Sequence, residues 1–517
     1  YDNLGRVATE GECTGQNSSS SQTLLVTNYY DNYSFAGTTD FPSGYFPSTG
    51  SWSIGRKTGQ KLRVLGASSS SSVPRAWYYD SRGQVTKEVI GHYDNLGYDT
   101  RVQTWTHTGQ PASVVTTRTS SVSGTPASQT RAWSYDHVDR LTAETLTLPG
   151  TGTTTLAAYT YDNLGRLSSR KFAGSTTNIE AYTYDVRSRT TGITHPSFIQ
   201  DLTYTYGSDI SSSGWKRGSN DTRKAYDFTY DSLHRLKNAV YKEGSSVNNH
   251  YTENVTGYDR NGNITTLQRY GRTGASSWGV VDNLTLTRTG NQLTSVTDGG
   301  SAAYSGDFNA AAGTSTYNAN GALTSDTGRR ISSVTWNEID LPQTVTFSNG
   351  STINYYYAAD GTKLREVRTI SGTTTTIDWC GDLVLEKVGS GTRAAKRLRL
   401  DGGYVDLASG NSARRYFVRD HLGSVRAVVN DAGAVLETDD YYPLGGPLPT
   451  GSNTALQPEK YQGKDWNTAA SFNVYDFGAR LYDPALGRWF SQDPLAEKYY
   501  NVSPYVFCND NPLIIID

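Results

Sequence analysis

Four short runs hold the residues whose types and spacing could do chemistry. Asp259-Arg260-Asn261-Gly262-Asn263 sets out oxygen ligands as the opening of a calcium loop does, but the twelfth position is Tyr270 where a bidentate glutamate is required, so the run reads as a turn. His421 lies between Asp420 and Ser424, the three residue types of a hydrolytic triad. No Gly-x-Ser-x-Gly elbow accompanies them, and the histidine reads as a hairpin residue. Asp483-Pro484 and Asp493-Pro494 are Asp-Pro pairs, which ordinarily end a strand or open a turn because proline donates nothing to a ladder. For Asp483 that is the reading adopted. Cys13, Cys380 and Cys508 lie far apart with no CxxC pair, which argues against a zinc site and a disulfide framework and leaves one bridge open. No metal or other cofactor is expected.

A repeated hairpin must position these residues. The unit reads x-Tyr-x-Tyr-Asp-x-x-Gly-Arg-Leu and is complete in Ala158-Tyr159-Thr160-Tyr161-Asp162-Asn163-Leu164-Gly165-Arg166-Leu167. Further copies start at Tyr79-Asp80, Tyr93-Asp94, Tyr135-Asp136, Tyr184-Asp185, Tyr230-Asp231 and Tyr258-Asp259, with looser ones at Tyr317-Asn318 and near Asp360-Gly361. Tyr159 and Tyr161 are two apart and so share one face of a strand. Asp162 can accept backbone N–H bonds two residues on, and Gly165 can take the positive φ that ends a short hairpin loop. Arg166 then opens the return strand within reach of the preceding tyrosine ring and aspartate. Rows of Tyr and Arg would then hold the sheet in place of an aliphatic core, which suits a curved wall around an open space.

The composition agrees with a repeat. A chain of 517 residues exceeds the size at which one core stops growing; it holds 37 Tyr and 52 Gly, and its apolar class is only 35%. A net charge of −2 supplies no counter-charge to a phosphate backbone, so nucleic acid is not an expected partner. No apolar run reaches the roughly 20 residues that span a bilayer, and no signal peptide opens the chain, so an export signal is expected upstream. Met is absent and the chain opens inside a Tyr-Asp motif, so both ends read as cuts.

From about Tyr404 the motifs change. Tyr416-Phe417-Val418-Arg419-Asp420-His421-Leu422-Gly423 is followed by Tyr441-Tyr442-Pro443-Leu444-Gly445, Tyr461-Gln462-Gly463-Lys464, and Tyr475-Asp476-Phe477-Gly478-Ala479-Arg480. After these comes Tyr482-Asp483-Pro484-Ala485-Leu486-Gly487-Arg488-Trp489-Phe490-Ser491-Gln492-Asp493-Pro494.

With its Tyr-Asp units over residues 1–395, the chain resembles the RHS/YD-repeat proteins: bacterial polymorphic toxins and, more distantly, the C component of toxin complexes and the teneurins. Residues 396–517 resemble the RHS repeat-associated core domain. The resemblance implies an all-β fold in which antiparallel hairpins spiral into a hollow shell, with the core folding inward as a plug. It implies a secreted or cell-surface bacterial protein that encloses its own C-terminal toxin passenger, with a secretion-system component or chaperone as further partner. It also implies an aspartyl autoprotease acting on its own chain, with Asp493 and Asp517 as the acid pair and Arg488 as the basic residue nearby. Two carboxylates sharing a site do not both ionise, so one can polarise a carbonyl while the other activates water. The Pro-x-Gly that should follow the second aspartate is absent after Asp517. The alternative is a surface adhesion or glycan-binding module, for which Trp133, Trp215 and Trp336 are the stacking candidates.

Overall fold

Asp162 shows why the sheet bends. In the computed structural model, which describes residues 2, 4–13, 22–304, 308–408, 410 and 412–516, the complete Tyr-Asp unit is an antiparallel hairpin with a register shift at the tyrosine before the turn, whereas the copy at Tyr93-Asp94 joins its strands without a shift. Thr160 faces Ser169 but Tyr161 faces Leu167, and the same slip occurs at Tyr30, Tyr79, Tyr135, Tyr184, Tyr204, Tyr230 and Tyr258. A β-bulge bends its strand and adds right-handed twist. Repeated on the same arm of these Tyr-Asp hairpins, it curves the ribbon in one sense.

The curvature closes the ribbon. Strand Lys57–Leu65 pairs with Gln22–Tyr30 only as far as Leu62; beyond that, Val64 and Leu65 pair with Ala358 and Tyr357 of strand Thr352–Ala358. This junction makes a closed antiparallel wall of 24 strands. The strands after it, from Lys363–Ile370 to Val435–Thr438, form a second turn stacked against the first. Arginines and acids of the two turns meet in sequence: Arg75 with Asp360 (3.2 Å), Arg365 with Asp94 (2.7 Å), Arg118 with Asp382 (2.6 Å), Arg131 with Asp401 (2.7 Å), and Arg217 with Asp440. The sequence separation falls from 285 for the Arg75–Asp360 contact to 223 for the Arg217–Asp440 contact. Fewer residues of the second turn span the same set of contacts.

The core segment folds inward against the face that carries the motif tyrosines. Four short strands, Asp465–Asn467, Val474–Asp476, Leu481–Asp483 and Arg488–Trp489, form a separate small sheet. The ring of Tyr505 lies 5.9 Å from that of Tyr317, and the ring of Tyr442 lies 6.0 Å from that of Tyr251. Asn511 donates to Asp209 at 3.1 Å. The long sheet runs on to Thr438, and the boundary expected at 395/396 falls inside strand Ala394–Leu400.

One expectation needs correction: aliphatic residues are not replaced by tyrosine and arginine. A single buried cluster joins Leu146, Leu202 and Leu267 of the first turn to Leu383, Leu398 and Val418 of the second, and to Leu444 and Leu486 of the core. Stacking one turn on another buries both faces of the seam, and that burial is apolar. Cys380 lies in this cluster, where burial pushes its thiol up, and Cys508 lies in another, around Trp489.

Candidate functional site

The repeat chemistry is a ladder that crosses from hairpin to hairpin. Asp162 Oδ1 accepts from the backbone N–H groups of Leu164 and Arg166, both at 2.9 Å, and its Oδ2 accepts from Arg166 Nε at 2.7 Å. Gly165 sits at φ +79°, as the turn requires. The Arg166 guanidinium stacks on Tyr184 of the following hairpin (4.7 Å), not on the tyrosine before it. Arg140 likewise covers Tyr161, Arg189 covers Tyr204 and Arg235 covers Tyr258, at 4.7, 4.3 and 4.3 Å. Each covered tyrosine donates its hydroxyl backward, as Tyr161 does to the Leu141 carbonyl at 2.7 Å. At the first rung Arg6 pairs with both Asp2 and Asp31, and its guanidinium holds the Asp31 carboxyl down at about 2. Asp162→Ala is expected to speed hydrogen exchange at Leu164 and Arg166 by about tenfold while leaving hairpins two repeats away unchanged. Peptide-resolved exchange mass spectrometry checks this.

Two of the four runs are turns of this kind. Asp259 accepts from Asn261 and Asn263 N–H, and Asp420 from Leu422 and Ser424 N–H, in the Asp162 pattern. His421 is fixed between Gln200 (3.0 Å) and the Leu513 carbonyl (3.0 Å), and burial pushes its pKa down. It is a structural joint between shell and tail. Asp483 accepts from Ala485 N–H at 2.8 Å and is paired with Arg329, which makes it a turn residue as read. Among the described residues no group of three or more His, Cys, Asp or Glu is placed to hold a metal ion.

Asp493 differs from these. Its Oδ1 accepts from Leu495 N–H at 2.7 Å, and its Oδ2 lies 3.1 Å from Arg480 Nη2. It remains 29% exposed and lines a groove of about 800 Å³ together with Asn320, Ile339, Asp340, Asp360 and Gln492. Arg488 is elsewhere: buried, 3.4 Å from the Asn291 carbonyl, and stacked on Tyr505 at 4.7 Å. Asp517 lies outside the described residues.

The cation beside Asp493 is therefore Arg480, which the sequence reading passed over. A signal was present in Tyr475-Asp476-Phe477-Gly478-Ala479-Arg480, where the Tyr-Asp pattern sends the arginine back to the aspartate. Here Asp476 is taken by Lys363 at 2.6 Å instead, and Arg480, flattened on Trp489 at 4.1 Å, turns to Asp493. Of the three tryptophans considered for glycan stacking, Trp215 is buried, Trp336 donates to the Leu323 carbonyl at 2.8 Å, and Trp133 lies under Arg131 at 5.3 Å.

Comparison with known proteins covers the two regions differently. The family model of the teneurin YD-shell matches residues 400–513. Salivary gland surface protein 1 of Aedes aegypti is 37% identical over 100 residues, which is 19% of this chain and 3% of that protein. Toxin subunit YenC2 of Yersinia entomophaga is 32% identical over 93 residues, 17% of this chain and 9% of that protein. In fold, the Tc holotoxin pore of Photorhabdus luminescens, solved with a TccC3 mutation, aligns with 97% of this chain at a TM-score of 0.71 and 17% identity. A TcdB2–TccC3–Cdc42 crystal structure aligns with 98% at 0.66 and 15% identity. This chain spans only about a quarter of those solved chains, 25% and 26%. With the Tyr-Asp ladder, the closed hairpin wall and the inward core, these matches make the chain similar to the teneurin YD-shell over residues 400–513 and to the Tc toxin shell in fold over nearly its whole length.

Proposed function

We propose that the chain is the shell of a secreted bacterial toxin, enclosing a C-terminal effector that the core cuts free from its own polypeptide. The observation that carries this reading is Asp493, partly exposed in a groove beside the fixed Arg480, on a core folded inside a closed wall. Shell and core remain the two working units, with Asp493 and Asp517 as the acid pair and Arg488 as a support that orders the strand before Asp493. A secretion component or chaperone is the second partner.

Enclosure and cutting are separable by experiment. The chain joined after Asp517 to Pro-x-Gly and a fluorescent reporter is expected to release the reporter covalently yet co-elute with it in native gel filtration, and to part from it in urea. A cut reporter that elutes alone under native conditions removes the enclosure claim.

A further inference from the structure

The end of the long sheet is fastened to the core by a group of charges that the cutting reaction does not use. Glu437, on the last strand, is fully buried, and Asp439, two residues on, is 5% exposed. Lys460 Nζ reaches Glu437 Oε1 and lies 3.2 Å from Asp439. Lys460 opens the turn Tyr461–Gly463 in the place where a hairpin unit carries its aspartate: its N–H donates to the Lys464 carbonyl, as Asp162 N–H does to Arg166. The joint therefore ties strand Val435–Thr438 to the first turn of the core.

The charges do not balance. Two carboxylates share one ammonium, and burial in a low-dielectric site makes an uncompensated second charge expensive. Glu437 Oε2 and Gln457 Oε1 are both buried without a hydrogen-bond donor among the described residues. The other charges facing the joint are committed: Asp440 to Arg426 and Arg217, and Glu459 to Arg399 at 3.0 Å and Arg419 at 4.0 Å. Arg426 Nε is spent on the Asp439 backbone carbonyl at 3.0 Å. Tyr441, Tyr475 and Tyr404 face the joint as neutral phenols, kept so by burial. One proton shared between the two carboxyls satisfies the arrangement.

We propose that Glu437, Asp439 and Lys460 form a proton-held latch that keeps the core turn seated on the last strand of the shell and loosens it when the shared proton is lost. Burial, together with the hydrogen-bonded Glu437 and against the pull of Lys460, pushes the Asp439 carboxyl up to about 8. A carboxyl raised in the folded state contributes stability that is full below its unfolded value, declines as pH rises, and is gone above its folded value. The latch is therefore tightest in acid, weakens as pH rises out of the ordinary carboxyl range, and is fully loosened once pH passes about 8. It is independent of the acid pair proposed for cutting.

The test is hydrogen exchange of residues 456–476 in the whole chain from about pH 4 to about pH 10, corrected for intrinsic exchange. Protection is expected to fall by up to about tenfold per pH unit below the transition and to level off above it, while strands of the first turn stay protected. Glu437→Gln, whose amide donates to Asp439 without a shared proton, is expected to flatten the profile. A wild-type profile that is flat across the range overturns the proposal, whatever the variant does. So does a fall that Glu437→Gln leaves unchanged.

Discussion

Replacing Arg269 with methionine is expected to cost roughly 3–5 kcal/mol of stability and to unseat the core. The guanidinium is fully buried, 2.5 Å from Glu253 and 2.9 Å from Asp282, both fully buried as well. Its remaining donors reach the carbonyls of Pro484 (3.0 Å) and Ala485 (2.7 Å) in the core. Removing it leaves two buried carboxylates, each with one backbone donor among the described residues, Leu444 for Glu253 and Ala310 for Asp282. Burial already raises both carboxyls above their usual range against the pull of Arg269. Without the arginine both rise further, so the variant's deficit shrinks as pH falls and grows as pH rises. Urea unfolding at about pH 5 and about pH 8 checks the sign, and exchange at 481–489 checks the loss of the core contact. Glu253→Gln with Asp282→Asn in the methionine background should recover much of the loss. No recovery would mean that packing, not uncompensated charge, is the cause.

Changing Asp493 to Asn is expected to slow self-cleavage by about a thousandfold or more, within the range that general acid–base groups supply. Arg480, at 3.1 Å, is the cation beside Asp493. Arg480→Gln is then expected to lower the rate by removing the positive charge beside the Asp493 side chain. Arg480→Lys keeps the charge but loses the planar stack on Trp489, and should lie between the two. Single-turnover rates measured beside the urea midpoint of each variant separate these outcomes from simple misfolding, which lowers both together.

The local unit was legible in the sequence because each of its parts obeys a short-range rule. Asp162, Gly165 and Arg166 do within five residues what turn chemistry demands. The partner of the arginine ring contact was not legible, since Arg166 reaches Tyr184 across a hairpin whose length varies from copy to copy. Closure at Val64–Ala358 depends on small bends summed over many bulges, and no single residue announces it. The turn-to-turn pairs, such as Arg118 with Asp382, follow only once the circumference is known. Arg480 was hidden for a related reason: its motif partner Asp476 is claimed by Lys363, which is more than a hundred residues away.

Intact-mass spectrometry of the chain carrying Pro-x-Gly and a reporter after Asp517, followed over time beside its Asp493→Asn variant, tests the central claim most directly. The account predicts a single cut shortly past Asp517 in the first protein and an uncut mass in the second, with both equally folded. The same cut in both, or none in either, contradicts it.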